Sequence, residues 1–170
     1  MNLDWYRARL QSHAESVAAL TISLDETTWR WRFASDTWSI LEIVNHMADE
    51  ETDDFRIRLR LTLEDPAQPW PGIDPVAWVT DRGYQERAPG QSLARFISAR
   101  AESLAWLAGL DAPDWANTYA HPLLGDISAA DLFTSWHAHD LLHLRQIGHR
   151  LYQYAAAETD GGVADYAGPW

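Results

Sequence analysis

Residues 136 to 147 read Trp136-His137-Ala138-His139-Asp140-Leu141-Leu142-His143-Leu144-Arg145-Gln146-Ile147. No Gly or Pro occurs between Ile127 and Ile147, so this stretch is predicted to be helical. His139 and His143 are four residues apart, which places both imidazoles on one face of a helix, one turn apart. Two histidines at that spacing can bind one metal ion, but a metal site usually has a third protein ligand. That ligand must come from elsewhere in the chain.

The length and charge of the chain limit the classes of protein to which it can belong. With 170 residues and 46% hydrophobic residues, it fits one domain with a substantial core. The net charge of −12 disfavours nucleic acid and anionic membranes as partners, because both attract basic surfaces. The sequence contains no apolar run long enough to span a membrane, and its N-terminus lacks the pattern of a signal peptide. A cytoplasmic protein is therefore expected.

Two residue types are missing, and their absence excludes several chemistries. The chain has no Cys, which excludes a thiol nucleophile, disulfides and Cys-ligated metal sites. It has no Lys, and all 13 of its basic residues are Arg, which excludes Schiff-base chemistry and a P-loop. Any metal must be bound through His, Asp or Glu.

Four stretches show helical spacing of apolar residues, and capping signals mark where three of them begin. The predicted helices are residues 3–24, residues 39–63 after the capping box Ser39-Ile40-Leu41-Glu42, residues 92–108 after Ser92 as N-cap, and residues 128–154 after the weaker box Ser128-Ala129-Ala130-Asp131. No strand is predicted, and residues 111–126 are expected to form a loop. The fold class is therefore all-α, a four-helix bundle over residues 1–154 with a loosely held tail at 155–170.

The connection between the second and third helices is long. Residues 64–90 contain five of the eight prolines, and a short helix is predicted within them at residues 76–82. A crossover of this length allows the two helices that it joins to run parallel rather than antiparallel.

His46 is the natural third ligand for a metal. It lies between Ile43 and Met47 on the apolar side of the second helix, which must face the bundle interior. A lone histidine there is more often a core residue with its hydrogen bonds satisfied. Burying three imidazoles without a common partner is costly, however, and one ion satisfies all three. From the residues alone, both interpretations stay open.

The remaining histidines and a di-iron site are weaker alternatives. His137 lies about 200° around the helix from His139, and His149 is also badly placed relative to His143. His13 is interpreted as a surface or core-edge residue, and His121 lies in a loop. A di-iron carboxylate site needs Glu-x-x-His on two helices, but Glu42 and His46 have the wrong spacing and the sequence contains no second copy.

Four further polar residues are candidates for roles around a metal. Asp49 and Glu50 follow His46 by three and four residues and are the candidate general bases, although a solvated acidic surface explains either of them equally well. Gln146 follows His143 by three residues and suits a ligand-orienting role. Asp140 is a second candidate for that role, or an exposed residue.

Three segments together carry a resemblance to a known family. They are Trp38-Ser39-Ile40-Leu41-Glu42-Ile43-Val44-Asn45-His46, His121-Pro122-Leu123-Leu124-Gly125, and His139-Asp140-Leu141-Leu142-His143-Leu144-Arg145-Gln146-Ile147. In order and spacing they resemble the DinB-like superfamily, the damage-inducible helix-bundle proteins, over about residues 3–154.

The resemblance implies a specific topology and a specific metal site. It implies an up-down-down-up four-helix bundle, a homodimer, and one divalent ion, nickel or zinc, bound by His46, His139 and His143. Characterised members of the superfamily include thiol-dependent S-transferases and isomerases that use low-molecular-weight thiols, together with suspected hydrolases. Because this range is wide, the fold transfers better than the reaction.

The leading functional hypothesis is a mononuclear metalloenzyme acting on a small molecule. Three histidine ligands leave coordination positions open for water or a thiol, and any thiol would have to be a small-molecule cofactor. The alternative is a non-catalytic, metal-binding stress-response bundle in which the ion only ties two helices together. A third interpretation, a metal-free bundle for apolar ligands, draws on the 10 Trp, most of which are expected to be core anchors.

Overall fold

The computed structural model describes residues 1–159 and 164–168. Within these residues, the α-helices are α1 (Leu3–Thr21), α2 (Glu26–Arg30), α3 (Ile40–Asp49), α4 (Arg56–Glu64), α5 (Pro75–Asp81), α6 (Pro89–Ala108) and α7 (Ala129–Glu158). A π-helical segment, Glu50–Phe55, joins α3 to α4 without a break, and short 3₁₀ turns occur at Tyr84–Glu86 and Ala164–Ala167. No helix in the described part of the chain is both long and apolar enough to cross a membrane.

The fold is a four-helix bundle built from α1, the continuous α3–α4 helix, α6 and α7, as the sequence predicts. Both predicted capping boxes are present. The Ser39 hydroxyl accepts from the Glu42 amide while the Glu42 carboxylate accepts from the Ser39 amide, and Ser128 and Asp131 make the reciprocal pair at the start of α7. These contacts satisfy amides that a helix leaves open and so fix where α3 and α7 begin.

Contacts between helices fix the direction of the chain in the bundle. In the contacts between α3–α4 and α6, residue numbers increase along both helices, from Asn45 with Ser92 to Arg56 with Glu102. These two helices therefore run parallel. Residue numbers also increase together along α1 and α7, from Tyr6 with Thr134 to His13 with Asp140, so these two helices are parallel. Between α3–α4 and α7 the order is reversed, since Trp38 meets Arg150 and Phe55 stacks on Trp136. The connection is therefore up-down-down-up.

In the part of the chain that the structure describes, the core consists of two clusters of buried side chains. One contains Val17, Ile43, Met47 and Phe96 and lies toward the beginning of α3. The other is rich in aromatic residues, including Phe133 and Trp136, and lies toward α4 and the beginning of α7. Burial of these faces favours association of the helices at roughly 25 cal/mol per Å² of apolar surface. The two clusters hold α3 against α7 along the face that carries His46.

The observed helices differ from the predicted ones in three places. Helix α6 begins at Pro89 rather than after Ser92, because the fixed φ of proline suits the first helical position and its missing N–H costs nothing there. Residues 26–30, which lie between the first two predicted helices, form α2 with Asp25 as its N-cap. Helix α7 extends to Glu158, four residues past the predicted end of the fourth helix.

The predicted loop at residues 111–126 contains a β-hairpin. Strands β1 (Thr118–His121) and β2 (Gly125–Ser128) pair antiparallel. Their side chains are at most half-buried, so the sequence lacks the apolar alternation by which strands are recognised. Of the predicted tail, residues 160–163 and 169–170 lie outside the described residues.

Candidate metal centre

Three histidine side chains meet between α3 and α7. The Nε2 atom of His139 lies 3.1 Å from Nε2 of His46 and 3.0 Å from Nε2 of His143. Among the described residues, these three form the group of His, Asp or Glu side chains close enough to share one ion, and no fourth such side chain joins them. A metal bound through histidine nitrogens at about 2.0–2.1 Å holds them about 3 Å apart, so the spacing suits a single ion.

The positions of the histidines follow from the helices that carry them. His139 and His143 lie one turn apart on α7 and point to the same side, and His46 lies on the buried face of α3 that packs against it. His46 is 5% exposed, whereas His139 and His143 are half-buried. The cluster is therefore covered on the α3 side and reaches solvent on the α7 side.

Hydrogen bonding sets the orientation of one of these imidazoles. The Oε1 atom of Gln146 lies 2.8 Å from Nδ1 of His143 and, because an amide oxygen can only accept, the imidazole donates its Nδ1–H. The proton on Nδ1 leaves the Nε2 lone pair of neutral His143 free to face the other two histidines. An orienting contact of this kind is typical of metal-binding histidines.

Burial keeps the cluster in the form that binds metals. Burial and the neighbouring His143 lower the pKa of His46 to about 2, and the same two causes lower the pKa of His139 to about 3. Burial also lowers the pKa of His143. All three imidazoles are neutral near pH 7, and a neutral imidazole is the form of histidine that binds a metal ion.

These pKa values predict that the metal-free protein loses stability as the pH falls. A histidine of the unfolded chain takes up a proton near pH 6.5, whereas folded His46 and His139 resist protonation to about pH 2 and 3. Below pH 6.5 the unfolded state therefore binds more protons, and these two groups lower the free energy of unfolding by about 2–3 kcal/mol per pH unit.

Urea unfolding in a chelator at pH 7, 6 and 5 measures this dependence. Other groups also titrate in this range, so the relevant quantity is the difference in slope between wild type and the double variant His46→Gln/His139→Gln. The double variant is expected to have the flatter dependence. Equal slopes would contradict the proposed burial of neutral imidazoles.

Glu50 lies on the far side of His46 from the other two histidines. Its Oε1 atom is 3.9 Å from Nδ1 of His46, and both atoms are buried without a hydrogen-bond partner among the described residues. Burial and the adjacent Asp54 carboxyl raise the pKa of Glu50 to about 9. Arg58 Nε lies 2.7 Å from Asp54 and holds the other end of this carboxyl pair. Glu50 is thus placed to accept the Nδ1–H of His46 after a small movement.

The π-helical segment places Glu50 and Glu51 inside the bundle. Each π turn contains one more residue than an α turn and rotates the following side chains relative to an α-helix. Glu50, Glu51 and Asp54 are all buried, which is unusual for consecutive acidic residues on an amphipathic helix. The acidic run Glu50-Glu51-Thr52-Asp53-Asp54 is the sequence signal that could have pointed to this segment.

Asp49, predicted as a candidate general base, lies elsewhere. Its carboxylate is fully buried, accepts a hydrogen bond from the Tyr84 hydroxyl, and forms ion pairs with Arg82 and Arg95. With three partners, it faces the crossover connection and α6 rather than the histidines. The spacing of three residues predicts that Asp49 lies on the same side of the helix as His46. Three residues of an α-helix fall about 60° short of a full turn, however, whereas four residues exceed a full turn. Asp49 and Glu50 therefore diverge to opposite sides of His46.

Asp140 takes part in a buried ion-pair network that the sequence did not reveal. Arg100 donates two hydrogen bonds to Asp140, at 2.7 and 3.0 Å, and two to Glu51, at 2.7 and 2.8 Å. His13, expected at the surface or core edge, is buried with Nδ1 3.1 Å from Asp140. Burial alone would raise the pKa of Asp140, but Arg100 and His13 together outweigh the effect of burial and lower the pKa. The network joins α1, α6 and α7 directly beside His139.

Aromatic rings border the histidine cluster on two sides. The Trp38 ring lies nearly parallel to His143, with centroids 6.5 Å apart, and 4.9 Å from the His46 ring. Phe55 contacts His139 at 5.0 Å. These rings exclude water from part of the cluster and strengthen electrostatic interactions within it.

The other histidines stay outside the cluster. His137 stacks on His13 at 4.8 Å, on the opposite side of α7, as its angle on the helix predicts. His121 lies in the hairpin, where its Nδ1 accepts hydrogen bonds from the amides of Leu123 and Leu124. Neither belongs to the group that is close enough to share an ion.

Comparisons with solved structures find the same fold. YfiT from Bacillus subtilis, described as a probable metal-dependent hydrolase with an unusual four-helix bundle topology, superposes with a TM-score of 0.71 at 19% identity, covering 88% of this chain and 87% of YfiT. The four-helix bundle protein TT2238 superposes with a TM-score of 0.61 at 20% identity, covering 87% of this chain and 99% of TT2238. At these identities the likeness establishes the fold alone.

Comparisons of sequence identify the family. No curated protein sequence matches this chain. The model of the DinB superfamily matches residues 2–147, which include α1, α3–α4, α6, the hairpin and all three clustered histidines. Since this match spans far more than half of its length, the chain belongs to the DinB superfamily.

Proposed function

We propose that this protein is a mononuclear metalloenzyme in which His46, His139 and His143 bind one divalent ion, zinc or nickel. The observation that carries the proposal is the convergence of three Nε2 atoms. Those of His46 and His143 lie 3.1 and 3.0 Å from that of His139, and no fourth His, Asp or Glu among the described residues joins them. Structural metal sites are usually closed by four protein ligands, whereas catalytic sites keep a position open. The three-ligand set therefore favours catalysis over a purely structural tie between helices.

The proposed reaction is nucleophilic attack on a small molecule, either hydrolysis or thiol-dependent transfer or isomerisation. A bound divalent ion would supply a Lewis acid that polarises an electrophile and lowers the pKa of a nucleophile. Hydrolysis is supported by the description of YfiT as a probable metal-dependent hydrolase. In the thiol-dependent alternative the thiol is a separate small molecule, because the chain has no Cys.

The surrounding side chains have separate roles in this proposal. Gln146 fixes the orientation of His143. Glu50 lies beside Nδ1 of His46, on the edge away from the other two histidines, and so orients His46 rather than contacting a substrate. Asp49 has no part in the chemistry, because its carboxylate is held by two arginines and Tyr84. Asp140 holds α7 in place through Arg100 rather than contacting a clustered histidine.

The test of function is turnover that depends on both the metal and the histidines. The protein is loaded with zinc or nickel and assayed for ester, amide and thioester hydrolysis, and for conjugation of low-molecular-weight thiols to electrophiles. We expect metal-dependent turnover in one of these classes, lost in His139→Ala. A wild-type protein that holds one ion per chain and is inactive in every class would favour the non-catalytic bundle instead.

Replacing Glu50 tests its role in orienting His46. Glu50→Ala removes the acceptor for the His46 Nδ1–H, whereas Glu50→Gln keeps an acceptor of nearly the same shape. We expect about 10–100-fold weaker metal affinity in Glu50→Ala, the usual effect of losing a partner that orients a ligand, and affinity near wild type in Glu50→Gln. Equal metal affinity in Glu50→Ala and wild type would remove Glu50 from the site.

We also propose that the protein is a cytoplasmic homodimer. The support is the resemblance to the superfamily, together with exposed leucines on α7, Leu141 at 47% and Leu142 at 62% exposed. Analytical ultracentrifugation measures the state directly. A protein that remains monomeric at tens of micromolar would contradict the dimer.

A further inference from the structure

A cavity of about 430 Å³ lies on the side of α3 that faces α6, away from the clustered histidines. Asn45 lines it and donates to Ser92 of α6, whereas the next residue, His46, faces α7. The cavity is bounded by α3, by the end of the crossover connection and by the first turns of α6. Its size is in the range of sites for small molecules.

Arg87 is a half-buried cation in the wall of this cavity, and no described carboxylate pairs with it. Its Nε and Nη2 donate to the carbonyl oxygen of Arg82 at 3.3 and 3.1 Å, and Nη1 donates to Asn45 Oδ1 at 3.3 Å. The guanidinium also lies 5.4 Å from the centre of the Tyr84 ring. Neutral partners thus hold the group in place and leave its positive charge uncompensated.

Two more side chains in the cavity wall can each donate a further hydrogen bond. Arg95 pairs with Asp49 through Nη2, while its Nη1 is buried without a hydrogen-bond partner among the described residues. Ser92 is 2% exposed and accepts from Asn45, which leaves its hydroxyl proton to donate. A buried donor without an acceptor is costly, so both groups favour a ligand that supplies oxygen atoms.

The charges of the wall select an anion. The acidic residue among the described lining residues is Glu86, which is exposed and therefore screened by solvent. Asp49 does not line the cavity, and Arg82, Arg95 and Tyr84 already occupy its oxygens. The planar fork of a guanidinium matches the two oxygens of a carboxylate or phosphate. The net charge of −12 repels anions at long range, so these short-range donors must supply the binding.

We propose that this cavity is a binding site for a small oxyanion, a carboxylate or phosphate group, held by Arg87, Arg95 and Ser92. The site is separate from the histidine cluster and does not depend on the proposed metal. It gives the molecule a second place at which an acidic metabolite, as substrate fragment or effector, is recognised.

Isothermal titration and amide and guanidinium NMR shifts of the full chain test the site. Inorganic phosphate and succinate are the two probes, titrated separately at low ionic strength. We expect saturable binding of at least one of them with shifts at Arg87, Arg95 and Ser92. Binding of phosphate alone would assign a phosphate site, and binding of succinate alone would assign a carboxylate site.

Two variants and a control distinguish this site from general attraction of anions. Arg87→Gln removes the uncompensated charge, and Gln91→Glu places a carboxylate at the exposed rim, where an acidic residue in the first turn of α6 does not threaten folding. Both should weaken binding at least tenfold. Arg9→Gln removes the same charge from an exposed position on α1 and should leave binding within twofold.

The anion-binding test can fail or succeed independently of the metal proposal. Both cavity variants should bind zinc or nickel as wild type does. No saturable binding of either probe up to about 50 mM, or equal affinity in wild type and Gln91→Glu, would overturn the anion site and leave the metal proposal unaffected.

Discussion

Replacing Arg100 with Met should lower the free energy of unfolding by about 3–5 kcal/mol, the cost of leaving buried charges without their partner. Arg100 is 2% exposed and pairs with both Glu51 and Asp140, which are 1% exposed each. Its Nη1 also donates to the carbonyl oxygen of Leu10 at 2.7 Å. Met fills much of the same volume but removes the guanidinium, so that Glu51 keeps only its bond from Trp136 and Asp140 only its contact with His13. Urea unfolding of the chelator-treated protein at pH 7.5 measures the loss.

A surface ion pair provides the matched control for this variant. Arg56 pairs with Glu102 at 3.2 Å, and the Glu102 side chain is 62% exposed. Arg56→Met should change the free energy of unfolding by less than about 1 kcal/mol, because solvent screens such pairs. A similar small change in Arg100→Met would show that water reaches the Glu51 and Asp140 carboxylates in the folded protein, contrary to the packing described above.

Adding zinc or nickel should raise the Tm of the chelator-treated protein by about 10 °C. An ion that binds only the folded state at about a thousand times its Kd stabilises that state by about 4 kcal/mol. For a domain of this size, each kcal/mol corresponds to about 2–4 °C. The neutral and converging histidines allow binding without a large rearrangement. Thermal unfolding followed by circular dichroism, with metal or with EDTA, gives the shift.

The histidine variants assign this shift to the cluster. His139→Ala removes the imidazole that lies within about 3 Å of both others, and the metal-dependent shift should disappear. His121→Ala, in the hairpin, should retain it. A shift that survives in His139→Ala would mean that the stabilising ion binds elsewhere.

The helical framework was predictable because its signals are local. Capping boxes at Ser39 and Ser128 satisfy amides within one turn, so the sequence alone indicates where α3 and α7 begin. The spacing of His139 and His143 likewise needs only helical geometry. His46 was a harder case, and its presence on an apolar helix face singled it out. The structure brings all three together.

The features that the sequence did not predict depend on contacts between residues far apart in the chain. Arg100 is 49 residues from Glu51 and 40 from Asp140, and a charged residue within a helix is ordinarily interpreted as exposed. The π-helical segment, which buries Glu50 and Glu51, depends on packing rather than on a local motif. Ser92 resembles an N-cap, but Pro89 starts α6 one turn earlier and leaves Ser92 to bond with Asn45. Asp49 was misplaced for a related reason, since Arg82 and Arg95 draw it away from the histidines.

Metal content per chain tests the central claim most directly. Wild type and His143→Ala are purified without a nickel column, loaded with zinc or nickel, dialysed and measured by elemental analysis. We expect about one ion per chain in wild type and less than about a tenth of that in His143→Ala, since three histidine ligands act together in binding. A wild-type protein that holds no ion after loading, or a His143→Ala variant that holds as much as wild type, would contradict a metal centre built from His46, His139 and His143.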